Sequence, residues 1–233
     1  MTRRALVLAC LLGVACAPSI NPRMQQATDA LLASTRAGHD LAAPAAYEPM
    51  PWEVGQWVLM KVTDGKQQPS IVRISVVARE GEGLWVESVT QDYYRRAISK
   101  ILYAKMPRSA AEAAEAMQKL VTRTDDQDPV SYDFTGNDPG ARFTKNLMKS
   151  FAQGIVAPAA SPEQTEDAQV TAGTFRGCAR AMVKVTLGPI SKDTTSWFHP
   201  AVPVNGSVKG VSADGEWTVE LLDFGLTGAR SEL

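Results

Sequence analysis

The chain is poor in the residues that usually carry catalysis or covalent stapling. It holds three cysteines and two histidines in 233 residues, too few for a zinc ribbon or a disulfide framework. Neither sign of charge dominates, because 24 basic side chains meet 25 acidic ones for a formal net charge of −1. That balance excludes a strongly basic nucleic-acid binder and supplies no general field for anionic partners. No apolar run reaches the roughly 18 residues that a membrane-spanning helix needs. The motifs Gly-x-Ser-x-Gly, Ser-x-x-Lys, Gly-x-x-x-x-Gly-Lys and His-Glu-x-x-His are missing as well, and with them the commonest hydrolase, nucleotide-binding and metalloprotease signatures. What is there, 45% apolar and 21% charged, is the composition of a folded globular domain.

The first residues carry an address. Arg3 and Arg4 form a short positive region ahead of the apolar run Ala5 to Ala15. Eleven residues at 1.5 Å each cover about 16 Å, far short of the roughly 30 Å hydrocarbon core, so the run reads as a signal-peptide segment over 1–15. It ends in Leu12-Gly13-Val14-Ala15-Cys16-Ala17-Pro18, which resembles a bacterial lipobox with Gly13 at the position usually held by Leu, Val or Ile. The resemblance implies cleavage before Cys16 and acylation of that residue, palmitate-type chains then holding the mature chain to a membrane. Ordinary cleavage after Ala15 or Ala17 is the alternative. Ala17 stands where an inner-membrane retention signal would place Asp, and by analogy this points to the periplasmic face of the outer membrane. Loss of Arg3 and Arg4 takes the net charge from −1 to −3. Cleavage and acylation of Cys16 leave Cys178 without a partner thiol, and such a cysteine is expected to be buried as a small apolar residue; without acylation a Cys16–Cys178 disulfide becomes possible.

Beyond the address, the pattern divides into an N-terminal helix and Ala/Pro-rich linker over 16–51 and one globular domain over 52–233. Asn21-Pro22 predicts a helix start and Gly38 a stop. Period-two alternation predicts strands at Trp57–Thr63, Ile71–Arg79, Leu84–Gln91 and Arg95–Ala104, joined by turns short enough for antiparallel hairpins. A helical insertion over about 107–154 follows. Its first helix, 109–123, opens on the capping box Ser109 to Glu112, and its second runs from Asp138-Pro139 to Gly154. Residues 157–168 read as a loop. Strands return at Thr174–Leu187, Ile190–Phe198, Val204–Ser212 and Glu216–Phe224, with Asp214-Gly215 as a hairpin turn. The expected fold is therefore α+β, a curved antiparallel sheet of about eight or nine strands forming a half-barrel under a helical lid.

This order of elements resembles the Lol lipoprotein-carrier fold, an open β-barrel that holds acyl chains beneath helices. The pieces Trp52-Glu53-Val54-Gly55-Gln56-Trp57, Ala172-Gly173-Thr174-Phe175 and Leu222-Asp223-Phe224-Gly225-Leu226-Thr227-Gly228-Ala229 are similar to uncharacterised predicted lipoproteins of myxobacteria. The two resemblances imply a non-enzymatic envelope protein that binds a hydrophobic ligand or an envelope protein. The apolar positions Val58, Met60, Ile74, Met117, Leu120, Phe143, Leu147 and Phe151 would line an acyl-chain cavity, and an ordinary packed core would use the same residues. A scaffold lipoprotein is a further alternative, and so is a hydrolase with His199 as base and Cys178 or Ser196 as nucleophile. His39 falls in the Pro-rich linker, which offers no rigid seat for a base. The acidic run Asp125-Asp126-Gln127-Asp128 reads as a solvated turn closing the helix 109–123. No cofactor, metal or nucleic acid is expected.

Overall fold

Twelve strands dominate the computed structural model, which describes residues 19–35, 38–65, 67–136, 138–148, 164–187 and 190–233. In chain order the elements are α1 Pro22–Ser34, β1 His39–Leu41, β2 Trp57–Asp64, β3 Ser70–Glu80, β4 Gly83–Gln91 and β5 Arg96–Tyr103. There follow α2 Ala110–Ala116, β6 Met117–Thr124, β7 Val130–Asp133, α3 Pro139–Met148 and β8 Gln164–Val170. The chain ends with β9 Gly173–Leu187, β10 Ile190–Phe198, β11 Ser207–Ser212 and β12 Trp217–Gly225. They form one open sheet in the order β8-β9-β10-β11-β12-β2-β3-β4-β5-β6-β7. β1 adds in parallel to β9, on the edge that β9 shares with β10. The sheet is therefore mixed and larger than eight or nine antiparallel strands, while the α+β, sheet-dominated class holds.

The predicted hairpins form where alternation and turn chemistry agree. In the β11–β12 turn Gly215 takes φ +72°, and the Asp214 carboxylate accepts from the Glu216 N–H at 3.0 Å. At Asn205-Gly206 the expected strand start gives way to a turn. Val204 and Gly206 both have positive φ, Asn205 Oδ1 accepts from the Ser207 N–H at 3.2 Å, and β11 begins only at Ser207.

One helical expectation fails for a physical reason. The capping box forms, with Ser109 Oγ accepting from the Glu112 N–H at 3.2 Å, although Glu112 reaches back to the N–H of Arg108. The helix it starts ends after seven residues, and Met117–Thr124 is strand β6 rather than helix. A register shift where Tyr103 pairs Met117 and Leu102 pairs Lys119 marks a bulge. The bulge turns both Met117 and Leu120 into the core, although an odd spacing of three on a regular strand would separate them. The acidic run consequently closes the β6–β7 turn and not a helix. Asp125, at φ +51°, accepts from the Arg96 N–H at 2.8 Å and gives its own N–H to the Arg96 carbonyl. The second helix is described from Pro139 to Met148, and β8 occupies part of the expected 157–168 loop.

The core lies on one face of the curled sheet. Trp52 shows how far the sheet bends: its ring meets Tyr103 of β5 edge-on at 5.5 Å, and its Nε1 donates to the Val204 carbonyl before β11 at 2.8 Å. α1 packs on the other face. Its buried residue is Thr28, whose Oγ1 accepts from Gln91 Nε2 at 3.1 Å and donates to the Asp92 carbonyl.

Tyr103 is fully buried, and its hydroxyl has no hydrogen-bond partner among the described residues. A desolvated, unpaired hydroxyl costs about 1–3 kcal/mol. Tyr103→Phe should therefore raise the urea midpoint, by about 1 kcal/mol in stability, with the m-value unchanged. A clear loss of stability would mean that the hydroxyl is paired.

Candidate functional site

Five of the eight candidate lining residues share one core. Val58 and Met60 of β2, Ile74 of β3, and Met117 and Leu120 of β6 are at most 6% exposed and belong to the cluster that holds Trp52, Tyr103, Phe175 and Leu221. Phe143 does not join them. It projects from α3 at 66% exposure, on a helix tied to β6 and β7 by Lys145, whose Nζ donates to the Met117 carbonyl at 2.9 Å and lies 5.8 Å from the Phe134 ring. The side chain of Leu147, and Phe151 and Cys16 entirely, lie outside the described residues.

His199 is buried at 2% exposure at the end of β10. The Ala201 N–H donates to its Nδ1 at 3.2 Å, which places the proton on Nε2, 3.2 Å from the Ala42 carbonyl. Both ring nitrogens are thus engaged by main chain, and neither is left for a serine or thiol. Cys178 sits apart from them in the same bonding sense. Its Sγ donates to the Phe175 carbonyl at 3.4 Å, and burial pushes the thiol up to about 12. That keeps it protonated and inert at neutral pH.

Burial is the leading cause that holds the His199 imidazole below its ordinary 6.5, opposed by its bond to Ala42. The folded state then binds the proton less readily than the unfolded chain. The stability contributed by neutral His199 is complete above about pH 6.5 and is lost as pH falls below that value. Urea midpoints compared at about pH 7.5 and 5.5 should drop in the wild type. In His199→Gln the drop should be smaller, and an equal drop in both would remove His199 as its source.

His39 has a firmer seat than its Pro-rich surroundings predicted. It opens β1, its Nε2 lies 3.0 Å from Asp223 Oδ1, and its ring stacks on Phe224 at 4.1 Å. The parallel pairing of 39–41 with Gly173–Phe175 supplies the rigidity. Among the described residues no hydroxyl or thiol is hydrogen-bonded to this imidazole. No group of three or more His, Cys, Asp and Glu is placed to hold a metal ion among the described residues.

The densest polar assembly is one that sequence reasoning missed. On the sheet face opposite the core, Arg73, Val89, Ile98 and Arg123 stand in one cross-strand row from β3 to β6. Beside it run Ser75, Glu87, Lys100 and Val121. The segment Gly228–Leu233 crosses this face. The Glu232 carboxylate pairs with both Arg73 and Arg96. Its carbonyl accepts from Arg123 Nη2 at 2.9 Å, and its N–H donates to the Glu87 carboxylate at 3.0 Å. Ser231 Oγ donates to Glu87 at 2.8 Å and accepts from Lys100 Nζ at 3.0 Å. Glu87 is fully buried. Burial first, then repulsion from Arg73 and Arg123, draws the Arg96 guanidinium below its ordinary value, with Glu87 pulling the other way. Only strand register brings these residues together, and no local spacing in the sequence announces it.

No family model, curated protein or solved structure matches this chain.

Proposed function

We propose that this is a non-enzymatic lipoprotein of the bacterial cell envelope, held by acylated Cys16 at the periplasmic face of the outer membrane and binding an envelope protein through its globular domain. Support for the address comes from the lipobox-like Ala15-Cys16 after a short apolar run. No helix among the described residues is long and apolar enough to cross a membrane. The observation that carries the choice of a protein partner over an acyl chain is the division of the lining candidates. Val58, Met60, Ile74, Met117 and Leu120 pack with the core aromatics, while Phe143 faces solvent. In this reading the open sheet is a half-barrel whose interior is filled by its own side chains. The engagement of His199 by main chain favours binding over hydrolysis.

Cys16→Ser tests the anchor. Several acyl chains, at about 0.8 kcal/mol per buried methylene, hold a protein to a membrane stably. The wild type should remain with washed envelopes in high salt, and the Ser variant should move to the soluble periplasmic fraction. Retention of the variant would defeat the assignment.

A further inference from the structure

We infer that Arg73, Arg96, Arg123, Glu87 and Lys100 form a recognition site for an extended acidic peptide with a Ser-Glu pair, and that Ser231-Glu232 of this chain occupies it in cis. The proposal rests on the reading of a protein-binding domain and names the chemistry of the partner. Three observations carry it.

The first is that the site reads a residue completely. Two guanidiniums take the Glu232 side chain, a third takes its carbonyl and Glu87 takes its N–H. Glu87 and Lys100 read the preceding hydroxyl. A latch of opposite charges needs only the carboxylate pairing; reading both main-chain groups of one residue is how extended peptides are recognised.

The second is charge. Arg73, Arg96, Lys100 and Arg123 face Glu87 and Glu232, an excess of two positive charges with the segment in place and three without it. Such a surplus repels itself and favours an anionic occupant.

The third is how weakly the segment is held otherwise. Leu226, Thr227, Gly228, Arg230 and Ser231 are exposed, and the side chains of Arg73, Arg96 and Glu232 are each 27–34% exposed. Ion pairs at that exposure add little net stability, and the other bonds of the segment, Ala229 N–H to the Gly55 carbonyl and Trp57 Nε1 to the Thr227 carbonyl, lie upstream of Ser231, so the last residues can give way to a segment of a partner. A covalently attached competitor acts at about millimolar effective concentration, which makes the resident segment a built-in brake on binding.

The test uses the full chain and the labelled peptide acetyl-Ala-Arg-Ser-Glu-Leu-amide, read by fluorescence anisotropy. Ser231→Ala/Glu232→Ala should free the site and bind the peptide at least about tenfold more tightly than the wild type. Binding should weaken with salt and be lost on adding Arg96→Ala, and a peptide with Gln in place of Glu should fail to compete. Glu232→Gln, which removes the charge and turns one of the two acceptor oxygens into an amide donor facing a guanidinium, should give the same result if the double variant does not fold. Failure of the folded variants to bind the peptide overturns the proposal. Equal binding of inorganic phosphate or anionic lipid vesicles would replace peptide recognition by a general anion site and overturn it too. None of these outcomes touches the Cys16 fractionation, so the anchor and the site stand or fall separately.

Discussion

Gly173→Ala should be among the most damaging single methyl additions in this protein. Gly173 opens β9 at φ +140°, a region that side chains rarely enter, and a Cβ there would land on the His39 carbonyl oxygen and within 2.8 Å of its carbonyl carbon. Backbone strain of that kind costs about 1–3 kcal/mol, and the clash adds to it by forcing β1 away from β9. With β1 go the bonds of the Gly38 and His39 N–H groups to the Ala172 carbonyl, the His39–Asp223 contact and the stack on Phe224. We expect a loss of about 3–5 kcal/mol, a large fraction of the 5–15 kcal/mol that holds a typical domain together. The measurement is the urea midpoint, together with hydrogen exchange at residues 38–41. An unchanged midpoint with protected amides would show that β1 does not lie against Gly173.

Glu87→Ala should be comparably costly by a different route. Glu87 is the fully buried carboxylate at the centre of the arginine cluster. Its removal leaves Arg73, Arg96, Arg123 and Lys100 facing Glu232 alone and takes the acceptor from the Ser231 hydroxyl and the Glu232 N–H. Hydrogen bonds to a charged group contribute about 1.5–3 kcal/mol each, and losing the acceptor of these two gives an expected cost of about 3 kcal/mol. Glu87→Gln retains an acceptor and should cost roughly half as much. Equal stability of Glu87→Ala and wild type, at matched ionic strength, would contradict the assembly described above.

Alternating apolar residues between Gly- and Asp-containing turns made β2 to β5 and β9 to β12 legible from sequence, because each hairpin is specified within about twenty residues. Met117 and Leu120 were not, since their spacing of three imitates a helix and only a bulge against Tyr103 makes it compatible with a strand. The three residues of β1 lie beside Pro44 and owe their conformation to β9, far along the chain. The arginine cluster was hidden for the same reason. Arg73 and Arg123 are fifty residues apart in sequence and share a row only through the register of four strands. Val58, Met60 and Ile74 alternate on one buried face, but period alone does not distinguish a lined cavity from a filled core.

Native mass spectrometry of the protein extracted from envelopes in mild detergent tests together the proposed lipid anchor at Cys16 and the proposed preference of the domain for a protein over an acyl chain. The predicted spectrum shows a mature chain beginning at Cys16 with covalent acyl mass, accompanied by a bound protein and carrying no non-covalent fatty acid. A chain without lipid at Cys16, or one that carries free fatty acid and no protein, would contradict it.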